Sequence, residues 1–497
     1  MATGLAPRSG PPRIVVIGGG ITGLAAAYRL HEIAAERPLE VMLLEAGHRL
    51  GGALDTIRRD DLIVETGADS FLSEKPWAIA LAKRIGLESA IVRTQEQFRK
   101  TVVVRDARLV EIPEGFSLIA PTWFGPILRS PLFSPLGKLR MLFEPLIPRR
   151  RETTDESIAN LVTRRLGREV LIRVAQPLAA GIYTADPARL SAHATMPRFV
   201  EMEQRHGSLV RGLRAAARGR NAEVRGTSGA RWSLFVSFNR GIGTLVDTLA
   251  SRLSDSIRYD SKVIGIERNA SDGGDPIAAG WRVVLESGAQ FFADEIVCAA
   301  PASSAARLIE PYDGVLAAEL NGISYASAAV VNLTHRVADF PTPPASFGFV
   351  VPVGERRKII AGSFSNLKFA GRAPADMILA RVFLGGALQT EMMALDDEEL
   401  IAAARDEFRA LLGVLAAPSF THVRRWPESM PQYAVGHRER VSTIRDHVAR
   451  VPGLILAGAY LDGVGIPDCV RMGEAAAEAA VATVFERMSQ TTARATA

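Results

Sequence analysis

A short β-branched run, Arg13-Ile14-Val15-Val16-Ile17, passes without a spacer into Gly18-Gly19-Gly20-Ile21-Thr22-Gly23. An Ala-rich stretch, Leu24 to Leu30, follows, and then a second apolar run, Leu39 to Leu44, that ends in Glu45. Apolar runs of this kind read as strands of a parallel sheet buried on both faces. The order strand, glycine turn, helix, strand, acid is that of a βαβ unit built to hold a dinucleotide. Gly18 permits the tight turn, Gly20 lets the backbone approach a pyrophosphate, and Gly23 lets the helix pack close to the sheet. Gly19, Ile21 and Thr22 complete the turn. The first-turn N–H groups there offer phosphate a partial positive charge. Glu45 stands where it can accept hydrogen bonds from ribose hydroxyls, and its charge argues against a 2′-phosphate and hence against NADP.

The rest of the chain must house two or three domains, because 497 residues exceed what one simple core supports. A hydrophobic share of 47% excludes a disordered chain. The net charge of +5 is small for this length, so no nucleic-acid partner is expected. Cys298 and Cys469 are the two cysteines and lie far apart. Neither a disulfide framework nor a metal site is therefore indicated. Met1 to Pro12 lacks the apolar core of a secretion signal, and no apolar run is long enough to span a bilayer. The expected location is cytoplasmic, either soluble or peripheral on the inner face of the cell membrane.

Between Phe116 and Arg151 the composition shifts. Apolar residues broken by Pro and Gly lead to Arg149-Arg150-Arg151, and Glu144 is the only acid. Such a segment suits an anionic membrane surface, and it equally suits the roof of a hydrophobic cavity. Asp155 to Ile172 has helical spacing, with Asp155 or Ser157 near its cap. Strands are predicted for Ile257 to Ile266, which carries Val263, for Trp281 to Glu286 and for Phe291 to Cys298. A separate sheet is predicted across Ala328 to Leu384. The run from Leu454 to Gly458 reads as a strand before a glycine loop and a helix from Arg471 to Glu486.

Two further stretches narrow the dinucleotide. Glu45-Ala46-Gly47-His48-Arg49-Leu50-Gly51-Gly52 resembles the EAxxRxGG extension of FAD-binding amine oxidases, and Glu65-Thr66-Gly67-Ala68-Asp69-Ser70-Phe71 resembles their second flavin-lining loop. The resemblance implies FAD, with Ala46, Arg49, Gly51, Gly52, Gly67, Ala68, Asp69 and Ser70 along its path. Other segments resemble the oxygen-dependent protoporphyrinogen oxidase family, in family order over nearly the whole chain. Pro177 to Ser191 is similar to its PLxxGIYxxDPxxLS segment, and His206 to Leu209 matches its HGSL. Phe347 to Pro352 resembles GFGFLVP, Trp426 to His437 resembles WxxAxPQYxxGH, and Gly463 to Val470 resembles GVGIPDCV.

That resemblance implies an α/β fold with a discontinuous Rossmann-like FAD-binding domain (13–74, 228–305 and 440–490). A mixed α+β substrate domain (75–115, 196–227 and 306–439) and a helical, membrane-associated insertion (116–195) complete it. It implies that the Val263 backbone meets the adenine, that Trp426 lies near the isoalloxazine, and that Val464, Gly465 and Ile466 close over the flavin. No cysteine lies between Trp426 and His437, so the FAD is expected to be non-covalent.

The implied reaction takes six electrons from a porphyrinogen in three flavin cycles, with oxygen as acceptor and hydrogen peroxide as product, in haem synthesis. Because the cofactor carries the chemistry, no catalytic side chain is assigned. Gly181 matches a position whose carbonyl can approach the pyrrole N–H groups. Some relatives place an Arg for a propionate where this chain, counted back from Pro113, has Thr101. Lys368, with Lys75 as a weaker candidate, would supply a cation for a propionate. These residues leave protoporphyrinogen IX and coproporphyrinogen III both open, as they leave open a homodimer and a hand-over to the next haem-synthesis enzyme. The rivals are an amine oxidase or carotenoid desaturase of the same superfamily, and a GDI-like protein that binds a partner and no flavin.

Overall fold

The computed structural model describes residues 10–152, 154–223, 234–268 and 280–496. Residues 1–9, most of the stretch read as lacking a secretion signal, lie outside the described residues. So do 224–227 and 228–233 at the edges of two expected domain segments, and 269–279 within the second of them.

The strand Arg13–Ile17 is flanked in parallel by Glu40–Leu44 on one side and Glu295–Cys298 on the other. Ile257–Arg258 and Leu454–Leu456 extend the sheet at its two edges, again in parallel. All five strands point the same way, so their C-terminal ends form one rim, which is where ligands dock on open α/β sheets. The helix Ile21–Ala34 leaves this rim directly from the glycine turn, and the C-terminal helix Ile466–Thr496 packs along it.

Two predicted strands are each divided. Ile257 to Ile266 is the short edge strand Ile257–Arg258 and then Val263–Arg268 in a separate antiparallel sheet. Asp260, with φ +49°, turns the chain between them. Phe291 to Cys298 likewise splits into Gln290–Ala293 and Glu295–Cys298, which belong to different sheets. An apolar run shows burial but cannot show which neighbour covers it. The C-terminal helix starts at Ile466, five residues earlier than its periodicity suggested.

The second large sheet has seven strands. Its order is Phe420–Pro431, Tyr325–Arg336, Met377–Gly385, Ala361–Phe364, Gly348–Val350, Val102–Arg105 and Arg108–Glu111. Strand alternation sorts its two faces. Ala329, Val331 and Leu333 pack on Leu400, Ala403, Ala404 and Phe408 of the helix Asp397–Leu412. Val330 and Phe383 look the other way, into the cavity described below.

Helices between Gly125 and Glu223 form a third apolar cluster, around Leu161, Val162, Leu166, Phe199 and Met202. The segment around Phe199 to Leu213 packs here, although its sequence suggested the substrate domain. The helix Pro76–Arg84, also expected in that domain, buries Ala78, Ile79, Leu81 and Ala82 against the core around the parallel sheet. The predicted helix from Asp155 is Ile158–Leu166, capped by Ser157, whose Oγ accepts from the Asn160 N–H at 3.1 Å. Gly167, at φ +95°, ends it. A π-turn, Leu171–Ala175, then leads into Gln176–Tyr183. Pro177 has no N–H to give to the preceding turn, which accounts for the irregular winding just before it.

Candidate active site

The three units surround one cavity of about 1410 Å³. Its floor at one end is the rim of the parallel sheet. Gly18, Gly19, Gly20, Ile21 and Thr22 line it there, with Glu45, Ala46, Arg49, Gly51 and Gly52 beside them. Gly20 is the N-cap of its helix, with φ −67° and no side-chain cap, so the first-turn N–H groups stay available to a ligand. A Cβ added at Gly20 would meet nothing within 4 Å, so no packing demand explains this glycine. Gly23 differs. Its Cβ would stand 1.9 Å from the Gly18 carbonyl oxygen, and it lies behind the cavity wall as a packing residue. The Glu45 carboxylate accepts from Gly19 N at 2.7 Å and from Gly47 N at 2.8 Å, which holds it at the end of its strand. This cradle, open where a side chain would close it and unlined by competing caps, fits a dinucleotide.

Further along, Gly67, Ala68, Asp69 and Ser70 form one wall, and Val263, Val464 and Ile466 form others. Gly465 is outside the lining, folded against the Asp468 carboxylate. Trp426 also lines the cavity. Its Nε1 donates to the Thr66 carbonyl at 2.7 Å, and the guanidinium carbons of Arg424 and Arg49 stand 4.6 and 5.6 Å from the centre of its ring. Arg49 gives its own N–H groups to the carbonyls of Leu50 at 3.1 Å and Gly52 at 2.6 Å. Burial holds its pKa below the ordinary Arg value, with Asp55 opposing.

The far half of the cavity is apolar, with Leu178, Ile182, Val330, Phe349, Phe383 and Met430 on its surface. Gly181, in the helix Gln176–Tyr183, faces into it. A Cβ there would sit 3.5 Å from Val350 Cγ1, an ordinary contact, so packing does not require glycine. Glycine inside a helix costs about 0.5–1 kcal/mol relative to alanine. Gly181→Ala should therefore raise the melting temperature slightly. If the bare backbone serves a bound disc, the same change should raise KM severalfold, and a variant with unaltered steady-state constants would remove the role assigned to Gly181.

Of the residues marked for substrate, Thr101 and Lys368 line the cavity and Lys75 does not. Lys75 Nζ instead clasps both Asp468 oxygens, at 2.7 and 2.5 Å, and so ties the start of the helix Pro76–Arg84 to the first turn of the helix Ile466–Thr496. Lys368 Nζ donates to Asp69 Oδ1 at 2.9 Å, Asp69 Oδ2 at 3.0 Å and Ser70 Oγ at 2.9 Å. Arg381 is a wall residue that was not anticipated. Its signal was present: an arginine in the middle of the apolar run Met377–Gly385 must be paired or functional.

Other polar groups in the core are structural. His437 Nε2 donates to the Leu461 carbonyl at 3.0 Å, stacks on Tyr433, and is held below its ordinary pKa by burial. Burial pushes the thiols of Cys298 and Cys469 up to about 11, so neither is a thiolate near neutrality. No group of His, Cys, Asp or Glu able to hold a metal occurs among the described residues.

Residues 21–481 match the family model of flavin-containing amine oxidoreductases. The chain belongs to that family. Among curated relatives of this flavin oxidoreductase, the coproporphyrinogen III oxidase of Bacillus subtilis (strain 168) is 31% identical, covering 96% of this chain and 99% of the relative. The coproporphyrinogen III oxidase of Propionibacterium freudenreichii subsp. freudenreichii is 32% identical over 93% of this chain and 90% of its own length. A crystal structure from Exiguobacterium sp. 255-15, provisionally named a protoporphyrinogen oxidase, superposes with a TM-score of 0.81 at 28% identity, covering 94% of this chain and 98% of the other. A flavin is accordingly the cofactor class of this flavin oxidoreductase.

Proposed function

We propose that this chain binds FAD without a covalent link and oxidises a porphyrinogen to a porphyrin in haem synthesis, with coproporphyrinogen III as substrate. The observation that carries the reading is the shape of the cavity, in which a dinucleotide cradle opens into an apolar slot large enough for a macrocycle. The names of the curated relatives favour the four-propionate substrate over protoporphyrinogen IX. The balance is one porphyrinogen and three dioxygen molecules giving one porphyrin and three hydrogen peroxide molecules.

FAD, when bound, supplies the acceptor for the electrons removed from the macrocycle. The protein's part is position and environment. The N–H groups after Gly20 would hold the pyrophosphate and Glu45 the ribose. The Val263 backbone would meet the adenine, and Arg49, Gly51, Gly52, the loop Gly67 to Ser70, Val464 and Ile466 would enclose the remainder. Trp426, fixed by the Thr66 carbonyl, walls the ring system. Leu178, Ile182 and Phe349 exclude water from the slot, and Gly181 lets the backbone approach the pyrrole N–H groups. Thr101, beside Lys100 at the exposed edge, is the proposed contact for a propionate, while Lys368 is taken up by Asp69 and Ser70. The two protonated, buried cysteines support a non-covalent flavin.

A peripheral membrane contact is proposed for the helical unit. Trp123, Leu128, Leu136, Leu139, Phe143 and Leu146 are exposed there, between 48% and 78%, and basic residues 149–151 adjoin them. No described helix is long and apolar enough to cross a membrane, so the contact would be with one leaflet. Leu136→Glu with Leu146→Glu should cut co-sedimentation with vesicles of anionic phospholipid by about tenfold while leaving porphyrinogen turnover in solution intact. Equal sedimentation of the two proteins would remove the proposal.

The deciding assay is aerobic oxidation of coproporphyrinogen III and protoporphyrinogen IX, supplied separately and followed by porphyrin fluorescence and peroxide release. Turnover above the non-enzymatic rate, faster with coproporphyrinogen III, is the expected result. A yellow protein inert toward both would overturn it.

A further inference from the structure

Two cations and one acid share the buried wall of the slot. Asp69, Lys368 and Arg381 all line it, with side chains 14%, 15% and 2% exposed. Lys368 is fully engaged, since its three N–H groups go to the two Asp69 oxygens and to Ser70 Oγ. Burial works to raise the Asp69 pKa, but Lys368 and then Arg381 hold it well below the usual carboxylate range, so Asp69 is ionised. Arg381 reaches the same acid through one Nη at 3.1 Å and gives the other Nη to the Gly67 carbonyl. Its Nε is buried with no hydrogen-bond partner among the described residues. The next acid, Glu65, already faces Arg372 at 3.6 Å. One positive charge is therefore left over in a dry wall, a costly arrangement unless an anion completes it. The charge sits on a guanidinium, whose planar fork matches a carboxylate.

We infer that Arg381 receives a carboxylate of the substrate, and that Lys368 is a positioning residue that neutralises Asp69 so that Arg381 keeps its charge for the ligand. The inference takes the source of the carboxylate, a propionate, from the porphyrinogen reading. Coproporphyrinogen III carries a propionate on every pyrrole and can place one at this wall and others at the exposed edge near Lys100. Protoporphyrinogen IX carries its two on neighbouring pyrroles, and both can stay at the edge. Arg381 is thus specificity-determining for the tetracarboxylate.

The test is steady-state kinetics of the holoenzyme with each porphyrinogen, normalised to bound flavin, together with fluorescence titration of the product coproporphyrin III. The variants are Arg381→Met, Arg381→Lys, Lys368→Met, and Lys368→Met combined with Asp69→Asn. Losing a hydrogen bond to a charged group costs roughly 10- to 100-fold in binding. Arg381→Met should raise KM for coproporphyrinogen III and the Kd for coproporphyrin III by about that factor, with little change for protoporphyrinogen IX. Arg381→Lys should recover part of the loss. Lys368→Met should mimic Arg381→Met, because Asp69 then claims the arginine. The double variant should restore KM to within a few-fold of wild type, since the competing acid is gone. A purely structural role for Lys368 predicts no such rescue, and its absence would overturn the positioning claim. Unchanged KM and Kd in Arg381→Met would overturn the receptor claim, as would a shifted flavin midpoint potential with unchanged KM. If Arg381→Met does not fold, the Lys368 pair decides. If wild type oxidises neither porphyrinogen, the functional reading fails, and the coproporphyrin III titration alone then decides the carboxylate site.

Discussion

Gly20→Val is expected to yield a folded, colourless protein. The backbone at Gly20 is extended, with φ −67°, so valine adds no conformational strain. Nothing in the protein stands within 4 Å of the added Cβ, so the native packing is also undisturbed. What the side chain fills is the space through which a pyrophosphate would reach the helix N-terminus. Loss of two charge-assisted N–H bonds costs roughly 3–6 kcal/mol, a hundredfold or more in affinity. Gly23→Val should fail differently, because its Cβ would collide with the Gly18 carbonyl and the helix could not seat on the sheet. Flavin absorbance per mole of protein, with circular dichroism and thermal melting, separates the two cases. A full flavin complement in folded Gly20→Val would show that the phosphates bind elsewhere.

Arg165→Met should destabilise the helical unit by about 3–5 kcal/mol, because it strands a buried carboxylate. Arg165 and Glu144 are both fully buried. Glu144 accepts from Arg165 Nε at 2.8 Å, from Ser208 Oγ at 2.5 Å and from the Leu209 N–H at 2.9 Å. Arg165 also donates to the Ile147 carbonyl at 2.9 Å and the Gly207 carbonyl at 3.0 Å. The pair thus joins the segment after Pro135–Leu142, the helix Ile158–Leu166 and the turn before Leu209. Arg165→Met combined with Glu144→Leu should cost less than Arg165→Met alone, since no unpaired charge remains. Urea unfolding of the three proteins measures this. An additive or larger loss in the double variant would mean that the geometry of the network, rather than its charge, holds the unit together.

Glu144 also shows where sequence reading stops. As the one acid in a basic, apolar segment it was given no role by the sequence, and it is the most enclosed carboxylate of the helical unit. Its partner Arg165 stands on the predicted helix Asp155 to Ile172, between apolar positions that drew the attention. Local patterns revealed the βαβ unit because its turn, helix and acid are adjacent in the chain and each is demanded by backbone chemistry. They also revealed the parallel strands through their apolar runs. They could not divide Phe291 to Cys298 between two sheets, since both halves are made largely of apolar residues. The nucleotide half of the cavity was legible for the same local reason. The wall of the slot was legible only in parts, because Asp69 and Lys368 could be marked singly and Arg381 stands out in its apolar run, but no local pattern shows that residues so far apart in the chain meet.

The parallel sheet has a consequence for how the protein is made. Arg13–Ile17 leaves the ribosome first, yet one of its neighbours is Glu295–Cys298, and the Arg13 N–H is bonded to Asp294 across 281 residues. The other edge of that neighbour waits longer still, for Leu454–Leu456. Pairings this distant are slow to form and leave apolar strand edges bare in the meantime. The glycine turn is therefore among the earliest pieces synthesised and among the last to be enclosed, because Val464 and Ile466 complete its cavity. A nascent chain halted before residue 454 would carry the whole phosphate motif and still be unable to retain its cofactor, so flavin capture would report that the strand Leu454–Leu456 and the segment through Ile466 have been made.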